Sequence, residues 1–589
     1  MKRHLPLIAM LAMAVPSASA APVNVQQAQS TATQFVQRHS ALRQAGSAAT
    51  LTLAHEARSA SGVADFYVFS RGTGAGFVIV SGDDATIPVL AYSDAGTFVA
   101  DDMPANVAWW MQQYQRQMQV LRDHPEAARR AVTLATSVSP LTTTTWKQST
   151  PYNQEIPTSR FALGTYRPVV GCVALAMAQL MKVHNWPTTG EGSHSYTWTC
   201  TNGSSNATSA TTYSANFGST TYQWSSMKDS YSTSADATAV GTLCYHCGVA
   251  VDMQYGVDAS GAQIYDAMKA LKTYFRYDKG LDLYLRDFYD ADEWDEMLRA
   301  DLDQGLPILY GGSTQETQYA APSGHCFVFD GYDTGGMFHI NWGWGGSYDG
   351  YFATSLLDSG RSNANFSSWQ QAVLGAKPDR DGTSTGTDRA LTGYMIDFST
   401  AVTSAALGAD VAVTMAGVTF LGEGDLSAPW WGVNILNEAE TQVIDAQYFV
   451  DATGIQIGAT YSADESAAFT VPGTLAPGTY HVRAVYSLDQ DATRHDFVRP
   501  ATGSKYIKMV VEGSTATFSE GTDVVDPVTV TVGDVNGDGS RTMGDVTLLI
   551  GYILNNDATG IVLDACDVSA DGAVTMADVT ALIALVLGA

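Results

Sequence analysis

Two stretches of the chain decide its fold: GCVALAMAQLMKVHNW, from Gly171 to Trp186, and SGHCFVFDGYDTGGMFHINWGWGGSYDGYF, from Ser323 to Phe352. The first stretch consists of helix formers that are apolar nearly all round, which predicts a buried helix that ends before Pro187. Cys172 then lies in the first turn, where the positive end of the helix dipole favours the thiolate. Gly171, directly before it, lets another chain approach closely.

The second stretch predicts a β-hairpin, in which His325 opens the first strand and Asn341 closes the second. An even-length turn around Thr334–Gly336 would pair residues whose numbers sum to an odd value. His325 and Trp342, together with Trp344, then share one face of the hairpin. Asn341 faces the other way unless a β-bulge intervenes. Trp342 is therefore the first candidate to hold the imidazole, and Asn341 is the other.

A cysteine in a first helical turn, a histidine and a group that orients it make up the set required for thiol catalysis. In this interpretation Cys172 is the nucleophile and His325 is the general base. The alternative is a buried core cysteine beside a Trp-rich hairpin. It does not explain the polar Gly324–His325 pair that leads the strand.

Together with WKQSTPYN (Trp146–Asn153) and YHCGVAVDMQYG (Tyr245–Gly256), these stretches resemble streptopain and its relatives, which are papain-like cysteine peptidases. The similarity runs from about Thr145 to Pro378. It implies a papain-like α+β fold, protein or peptide substrates and no cofactor for catalysis. It also implies that a tryptophan of NWGWGG, here Trp342, replaces the orienting asparagine of papain.

One position departs from the papain pattern, in which an oxyanion-hole glutamine precedes the cysteine by six residues. This chain has Tyr166 there. The backbone N–H of Cys172 remains one donor for the oxyanion. Gln148 is a candidate for the second donor.

The N-terminal part predicts export and latency. Residues 1–20 combine Lys2-Arg3, a short apolar run and small residues before Ala21, as signal peptides do. Residues 21–140 carry two helical patterns around a strand pair and resemble the pro-domain of streptopain relatives, which implies an inhibitory pro-domain and a zymogen. The segment from Asp123 to Thr145 is expected to be exposed and open to cleavage.

After a peptidase domain at 141–379, DRDGTSTGTD predicts a flexible linker. Short alternating runs at 388–522, separated by Gly, Pro and Asp turns, predict a β-sandwich of immunoglobulin type. The fold class is thus multidomain: an α+β pro-domain, an α+β papain-like peptidase, a β-sandwich and a small α-helical calcium-binding module.

That last module, at 530–589, is a two-fold repeat that begins DVNGDG at Asp534 and DVSADG at Asp567. Oxygen ligands at the spacing that wraps one Ca2+ ion recur in each loop, and each loop is followed by an apolar helix. The predicted ligands are Asp534, Asn536, Asp538, Ser540, Thr542 and Asp545 in the first loop, and Asp567, Ser569, Asp571, Ala573, Thr575 and Asp578 in the second. Ser569 replaces Asn or Asp, so weaker binding is expected in the second loop. The repeats resemble a dockerin module, which implies Ca2+-dependent folding, a cohesin-type partner and a link to polysaccharide catabolism.

Composition agrees with a secreted or cell-surface bacterial protein. The 589 residues carry a net charge of −28, which argues against nucleic acid and anionic membranes as partners. No segment reaches the length of apolar sequence that spans a membrane. Six cysteines minus one nucleophile leave an odd number, which fits no full disulfide framework. Cys200 is expected in a polar loop, and the Cys244–Cys247 region in a buried helix.

Two functions remain open from the sequence. One is a secreted, self-processing cysteine endopeptidase with a calcium-binding docking tail. The other is a surface adhesion or scaffold protein whose peptidase domain is inactive. The intact Cys172, Gly324, His325 and Trp342 favour the first.

Overall fold

The structure is a computed structural model. It describes residues 21–39, 42, 51–129, 131–313, 324–357, 370–384, 386–463, 467–488, 494–500, 506–521, 533, 535, 543–555, 565–566, 568 and 574–587. The predicted signal peptide lies outside these residues. The described part of the chain divides into two compact units, residues 1–521 and 522–589.

The helices follow the apolar periodicity of the sequence. They are α1 (Val25–Arg38), α2 (Ala105–Asp123), α3 (Cys172–His184), α4 (Thr238–Ala250), α5 (Ile264–Tyr274), α6 (Ala291–Asp303), α7 (Met543–Asn555) and α8 (Met576–Leu587). Asn24 and Gln27 form a capping box that starts α1. α3 ends as predicted, with Asn185 in the left-handed conformation just before Trp186-Pro187.

The strands of the N-terminal and central regions are β1 (Thr52–Arg58), β2 (Ala64–Ser70), β3 (Phe77–Ser81), β4 (Val89–Ser93), β5 (Ser159–Phe161), β6 (Gly164–Tyr166), β7 (His194–Trp198), β8 (Thr201–Asn202), β9 (Ser205–Asn206), β10 (Thr211–Ala215), β11 (Asp282–Leu285), β12 (Ile308–Ser313), β13 (Gly324–Tyr332), β14 (Phe338–Asn341), β15 (Gly350–Phe352) and β16 (Gln371–Leu374). Those of the following region are β17 (Thr392–Tyr394), β18 (Asp397–Ser399), β19 (Ser404–Ala406), β20 (Asp410–Ala412), β21 (Thr414–Leu421), β22 (Trp430–Asn437), β23 (Gln442–Asp451), β24 (Thr460–Ala463), β25 (Ala468–Thr470), β26 (Gly478–Ser487), β27 (His495–Asp496), β28 (Tyr506–Glu512) and β29 (Thr515–Gly521).

One ten-stranded sheet joins the predicted pro-domain to the predicted peptidase domain. Its order is β1-β2-β3-β4-β15-β14-β13-β12-β16-β11. The junction is the antiparallel pair β4–β15, where Tyr92 lies opposite Tyr351. The two regions also share an apolar core, in which Trp110 of α2 packs with Phe327 and Phe329 of β13. The two predicted domains are therefore one packed body in this form of the chain.

α3 lies on the other side of that sheet, in a second core with α4 and α5. The face of α3 is almost wholly apolar and buried from Val173 to Met181, which explains why the helix is central rather than peripheral. Cys244 and Cys247 are buried in α4, as predicted, and all six cysteines are free thiols. Cys200 lies in the loop between β7 and β8, as expected, but its surroundings are not polar: it is fully buried and packs with Phe161 and Ala207.

Residues 390–521 form sheets of their own around a separate apolar core. One sheet has the order β17-β21-β18 with β24 beside β21, and another has the order β19-β29-β28-β26-β22-β23 with β27 beside β26. The alternating strands contribute Val433, Ile435, Val482 and Met509 to the core between them.

This all-β region docks onto the peptidase body rather than following a flexible linker. Arg389 pairs with Asp282 at 2.7 Å, and the Tyr265 hydroxyl donates to the Gly422 carbonyl at 3.1 Å. Residues 379–388 were predicted to be a flexible linker, but their described part makes contacts at both ends: Lys272 pairs with Asp388 at 2.7 Å, and the Asp379 N–H donates to the Arg276 carbonyl at 2.9 Å. Composition indicated flexibility, but main-chain and charged contacts fix the segment.

The second unit contains α7 and α8, which pack around Val546, Leu549, Val579 and Leu582. Each helix is the apolar run that follows one repeat of the sequence. Among the described residues, no helix is both long and apolar enough to cross a membrane.

Candidate active site

Cys172 is the first residue of α3, as the sequence predicts, and its side chain is half-buried. Gly171 precedes it with a φ of +89°. A Cβ at Gly171 would come within 2.7 Å of the Met253 Sδ, so this position requires glycine for space as well as for conformation.

His325 is the second residue of β13 and lies opposite Gly312 of β12. The backbone of the next residue, Cys326, lies close enough to the Cys172 sulfur to favour its thiolate and so to lower the pKa of the thiol. Helix α3 and strand β13 thus bring the predicted nucleophile and base to neighbouring positions. In the described part of the chain, no direct hydrogen bond joins the Cys172 thiol to the His325 ring.

The pKa shifts of Cys172 and His325 both favour the neutral form of the side chain. Burial raises the pKa of the Cys172 thiol, and the backbone amides of Cys326 and Val173 offset only part of this effect. Burial also lowers the pKa of His325. The helix dipole was expected to favour the thiolate, whereas burial acts in the opposite direction and raises the pKa of this thiol.

The β13–β14 register places Trp342 on the His325 face. Val328 pairs with Asn341 and Phe329 with Ile340, so the sums are odd as expected. The turn itself is odd in length, since Tyr332 pairs with Phe338, and a β-bulge after Phe329 restores the predicted register. The face assignment is confirmed, although the expected even turn is wrong.

Trp342 is 1% exposed and follows the last residue of β14. Its ring lies 4.6 Å from that of Phe327, two residues beyond His325 on the same face. Its backbone N–H donates to the Asp349 carboxylate at 2.9 Å. The tryptophan is thus held on the base's side of the sheet through both its ring and its main chain.

Asn341 faces the opposite side of the sheet, toward α3. Its side chain bonds to Gln179 at 3.2 Å and to the Thr144 carbonyl at 2.8 Å, and it is 2% exposed. The structure therefore does not bring Asn341 to His325, because neighbouring residues of a strand point to opposite faces.

Helix α2 of the N-terminal region covers the His325 face. The Asn106 amide donates to the Trp342 carbonyl at 3.1 Å and accepts from the Trp344 indole at 2.8 Å. The Trp109 ring lies directly over Gly312, the partner of His325. These contacts place α2 against the Trp342 main chain and against the strand that pairs with His325.

The second oxyanion donor stays a prediction. The Gln148 carbonyl accepts the Val170 N–H at 3.0 Å, which brings Gln148 next to the segment that leads into Cys172. Tyr166 belongs to the β5–β6 hairpin and donates to the Leu163 carbonyl at 3.5 Å, so its hydroxyl is engaged within its own hairpin.

Of the predicted calcium ligands, Asp545, Thr575 and Asp578 are described. Both aspartates are fully buried in the first turns of α7 and α8, at equivalent places in the repeats. The Thr575 N–H donates to the Asp578 carboxylate at 2.7 Å. The other predicted ligands, which are Asp534, Asn536, Asp538, Ser540, Thr542, Asp567, Ser569, Asp571 and Ala573, lie outside the described residues.

Several residues at the site had not been singled out from the sequence. They are Asn106, Trp109, Gln179 and Asp349. Gln179 carries a signal in retrospect, since it is the one polar residue between Cys172 and Lys182. The others act through contacts between segments more than 200 residues apart, or through a loop, which no local pattern reveals.

Three parts of the chain match models of known protein families. Residues 146–352 match the model of the Peptidase C10 family, residues 20–118 that of the Spi protease inhibitor and residues 532–587 that of the dockerin type I domain. The chain is 30% identical over 402 residues to the thiol protease/hemagglutinin PrtT of Porphyromonas gingivalis, covering 64% of this chain but only 44% of that protein. It is 29% identical to streptopain of Streptococcus pyogenes over 60% of this chain and 92% of that one.

Two solved structures of Prevotella intermedia proteins are also similar. The prointerpain A fragment is 33% identical, with 56% of this chain and 99% of that chain covered and a TM-score of 0.46. Active interpain A cysteine protease is 38% identical, with 42% and 97% covered and a TM-score of 0.35. The chain therefore contains a Peptidase C10 domain, of the family of streptopain, and combines it with a Spi-inhibitor-like pro-domain and a dockerin type I domain.

Proposed function

We propose that this chain is the zymogen of a secreted cysteine endopeptidase that hydrolyses peptide bonds in proteins through Cys172 and His325. The observation that carries the proposal is the meeting of the α3 N-terminus with the start of β13, where the backbone of Cys326, the residue after His325, lies beside the Cys172 sulfur and favours its thiolate. The match of residues 146–352 to the Peptidase C10 family supports the same assignment.

The chemistry follows from these two side chains. His325 takes the thiol proton, and the Cys172 sulfur attacks the scissile carbonyl to form a tetrahedral intermediate. The Cys172 N–H, with Gln148 as the proposed second donor, stabilises the oxyanion. His325 then protonates the leaving amine, and water attacks the thioester to release the acid and restore the thiol. Trp342 orients His325 in this proposal.

Latency is supported by the position of α2. Its contacts through Asn106 and Trp109 cover the His325 face, and burial holds the thiol and the imidazole neutral. A neutral pair is the less nucleophilic state, because attack requires the thiolate. Removal of α2 admits water and substrate to the same face. Residues 21–140 therefore serve as the inhibitory pro-domain.

Processing is proposed within the connection between α2 and the peptidase domain. The stretch from Ala131 to Ser137 is largely exposed, whereas Thr144 is buried. Cleavage in the exposed stretch would separate α2 from the site. Export by the signal peptide at 1–20 belongs to this proposal and makes latency useful before the protein leaves the cell.

The C-terminal unit is proposed to bind two Ca2+ ions and a cohesin-type partner. The two buried aspartates at the starts of α7 and α8 fit a hard cation, since carboxylate oxygens are the ligands that Ca2+ prefers. Bound Ca2+ would neutralise the loops and fix the helices that follow. The all-β region at 388–522, which we infer to be a β-sandwich, would act as a rigid spacer between the peptidase and this tail.

Titration with an epoxide-type thiol inhibitor tests the activity. After processing, one equivalent should modify Cys172 and abolish peptide hydrolysis, and Cys172→Ala should take up no inhibitor. A folded, processed chain that neither hydrolyses peptides nor reacts with the inhibitor would favour the alternative of a scaffold with an inactive peptidase domain.

A further inference from the structure

A buried polar network links the helix of the nucleophile to the loop of Trp342. Gln179 lies two turns after Cys172 on α3 and is 1% exposed. It accepts a hydrogen bond from the Thr144 hydroxyl at 2.9 Å and donates one to the Asn341 side-chain oxygen at 3.2 Å. A buried amide is costly unless it is bonded, and both ends of this one are bonded.

Asn341 is the second centre of the network. Its amide nitrogen donates to the Thr144 carbonyl at 2.8 Å and to the Thr142 hydroxyl at 3.2 Å. Its oxygen also accepts the Gly343 N–H at 3.1 Å. Trp342 therefore lies between Asn341 and Gly343, which this hydrogen bond joins. The Asn341 side chain thus fixes the direction in which the main chain leaves β14.

We propose that Gln179 is a positioning residue for the peptidase reaction, which acts through Asn341 to hold the Trp342 loop at a fixed place relative to Cys172. The inference rests on the proposed activity of Cys172 and His325. Apolar contacts around α3 are not directional, whereas the Gln179 hydrogen bonds define one arrangement of helix and loop. A loop displaced by a fraction of an ångström would misplace Trp342 and, with it, the imidazole.

The network also determines which part of the connection belongs to the working enzyme. Thr142 and Thr144 supply three of its contacts, and the Thr142 N–H donates to the Asp330 carboxylate at 3.0 Å. A cut after Thr144 would remove these partners and leave buried amide groups without their bonds. The processed enzyme should therefore begin at or before Thr142.

Gln179→Met tests the proposal, because methionine has a similar length but forms neither hydrogen bond. The full chain is processed in trans by a trace of wild-type enzyme, whose contribution is subtracted. We expect kcat to fall about tenfold with KM within about twofold, since positioning acts on the chemical step. Gln370→Met is the matched control, a buried glutamine that accepts from the Tyr310 hydroxyl, and should lower stability without this loss of kcat.

Gln179→Glu adds a readout that simple packing would not produce. Its carboxylate keeps the acceptor for Thr144 but repels the Asn341 oxygen, whereas its protonated form can donate to that oxygen. Burial raises the pKa of such a carboxyl, so the ratio of variant to wild-type kcat should rise as pH falls from about 8 to about 5. If Gln179→Met does not fold, Thr144→Val removes one bond of the network and should lower kcat in the same direction.

The outcomes separate this inference from the proposed function. An inactive wild-type enzyme would overturn the function itself. An active wild type with a folded Gln179→Met or Thr144→Val variant of unchanged kcat would overturn the positioning role. A flat pH ratio for Gln179→Glu, or a mature N-terminus that begins after Thr144, would also overturn it.

Discussion

The Trp109 ring lies so close to Gly312 that no side chain could be accommodated there: a Cβ would come within 2.3 Å of the indole. Gly312 is the direct strand partner of His325. The pro-domain therefore rests on the backbone beside the proposed base rather than on a distant surface. A residue with no side chain makes this contact possible and also leaves an open surface once the pro-domain has gone.

The state of the Cys172 thiol should change when the pro-domain is removed. Burial raises the pKa of Cys172 and lowers that of His325 in the covered form, so the thiol is protonated over the neutral range. We expect alkylation of the zymogen by iodoacetamide to be slow and to rise steeply with pH, and that of the processed enzyme to be fast even in mild acid.

Mass spectrometry of the labelled cysteine measures these rates. The other thiols are buried, so Cys172→Ala should take up almost no label while the protein is native. Equal rates for zymogen and processed enzyme at neutral pH would contradict the account of latency by burial.

Asn106→Ala should loosen the hold of the pro-domain. The variant loses one hydrogen bond to the Trp342 carbonyl and one from the Trp344 indole. At about 1 kcal/mol each, their loss corresponds to a roughly 30-fold weaker hold. Processing followed by gel electrophoresis should be faster than in the wild type. Gln112→Ala, on the exposed side of the same helix, should mature at the wild-type rate.

The local pattern of the sequence was sufficient for the helix of Cys172 and for the face of Trp342. The helix follows from an unbroken run of apolar helix formers, and the face follows from the two-residue period of a strand. The predicted pairing of β13 with β14 is correct only because an odd-length turn and a β-bulge compensate each other. Neither feature could be predicted from the residues around Gly335 and Gly336. The direction of the thiol pKa shift was not predictable, because it depends on how the folded chain buries Cys172.

Long-range pairing was the part that sequence could not supply. The ten-stranded sheet depends on β4 meeting β15, two short strands more than 250 residues apart. The linker at 379–388 has the composition of a flexible segment, and its contact through Asp388 depends on a lysine far away in the chain. Most of the predicted calcium ligands lie outside the described residues, so those assignments stay predictions.

Asp349 should make the stability of the body depend on pH. Burial raises the pKa of this carboxyl to about 7, with Asp330 adding to the shift and the Trp342 N–H and His339 opposing it. The folded state then keeps a proton that the unfolded chain loses near pH 4. The contribution of Asp349 to the free energy of unfolding is fully present below about pH 4 and is lost as pH rises toward 7.

His339 changes the stability of the body in the same direction, so that stability falls as pH rises. Burial opposes its charge, but Asp330, Asp349 and Asp94 raise its pKa overall. Asp349→Asn keeps an acceptor for the Trp342 N–H but cannot ionise. We expect the free energy of unfolding of Cys172→Ala protein to become less pH-dependent between about pH 4 and 7, by up to about 1.4 kcal/mol per pH unit. An unchanged slope in urea unfolding would contradict the raised pKa.

Arg389→Ala should weaken the attachment of the all-β region to the peptidase body. Arg389 bonds to Asp282 and to the Tyr394 hydroxyl, each at 2.7 Å, and its guanidinium lies 4.9 Å from the Tyr284 ring centroid. Loss of these charge-assisted bonds should cost about 1–3 kcal/mol in denaturant unfolding. Lys228→Ala, which removes an exposed pair 3.5 Å long, should change stability by less than about 0.5 kcal/mol. Equal effects of the two variants would show that the interface is not held by Arg389.

Calcium removal should unfold the tail and leave catalysis intact. The repeats place six aspartates in a short span, which are Asp534, Asp538, Asp545, Asp567, Asp571 and Asp578, and without a cation these carboxylates repel one another. Asp545 and Asp578 are fully buried at the starts of α7 and α8, so we expect ion binding and helix packing to be coupled. Calorimetry of the full-length Cys172→Ala chain should show one transition that a chelator abolishes, while peptide hydrolysis by processed wild type persists in the chelator.

Asp534→Ala should weaken Ca2+ binding more than Asp567→Ala, because Ser569 already makes the second loop the weaker binding site. A tail that melts identically with and without Ca2+, or hydrolysis that stops with the chelator, would contradict an independent calcium-bound module.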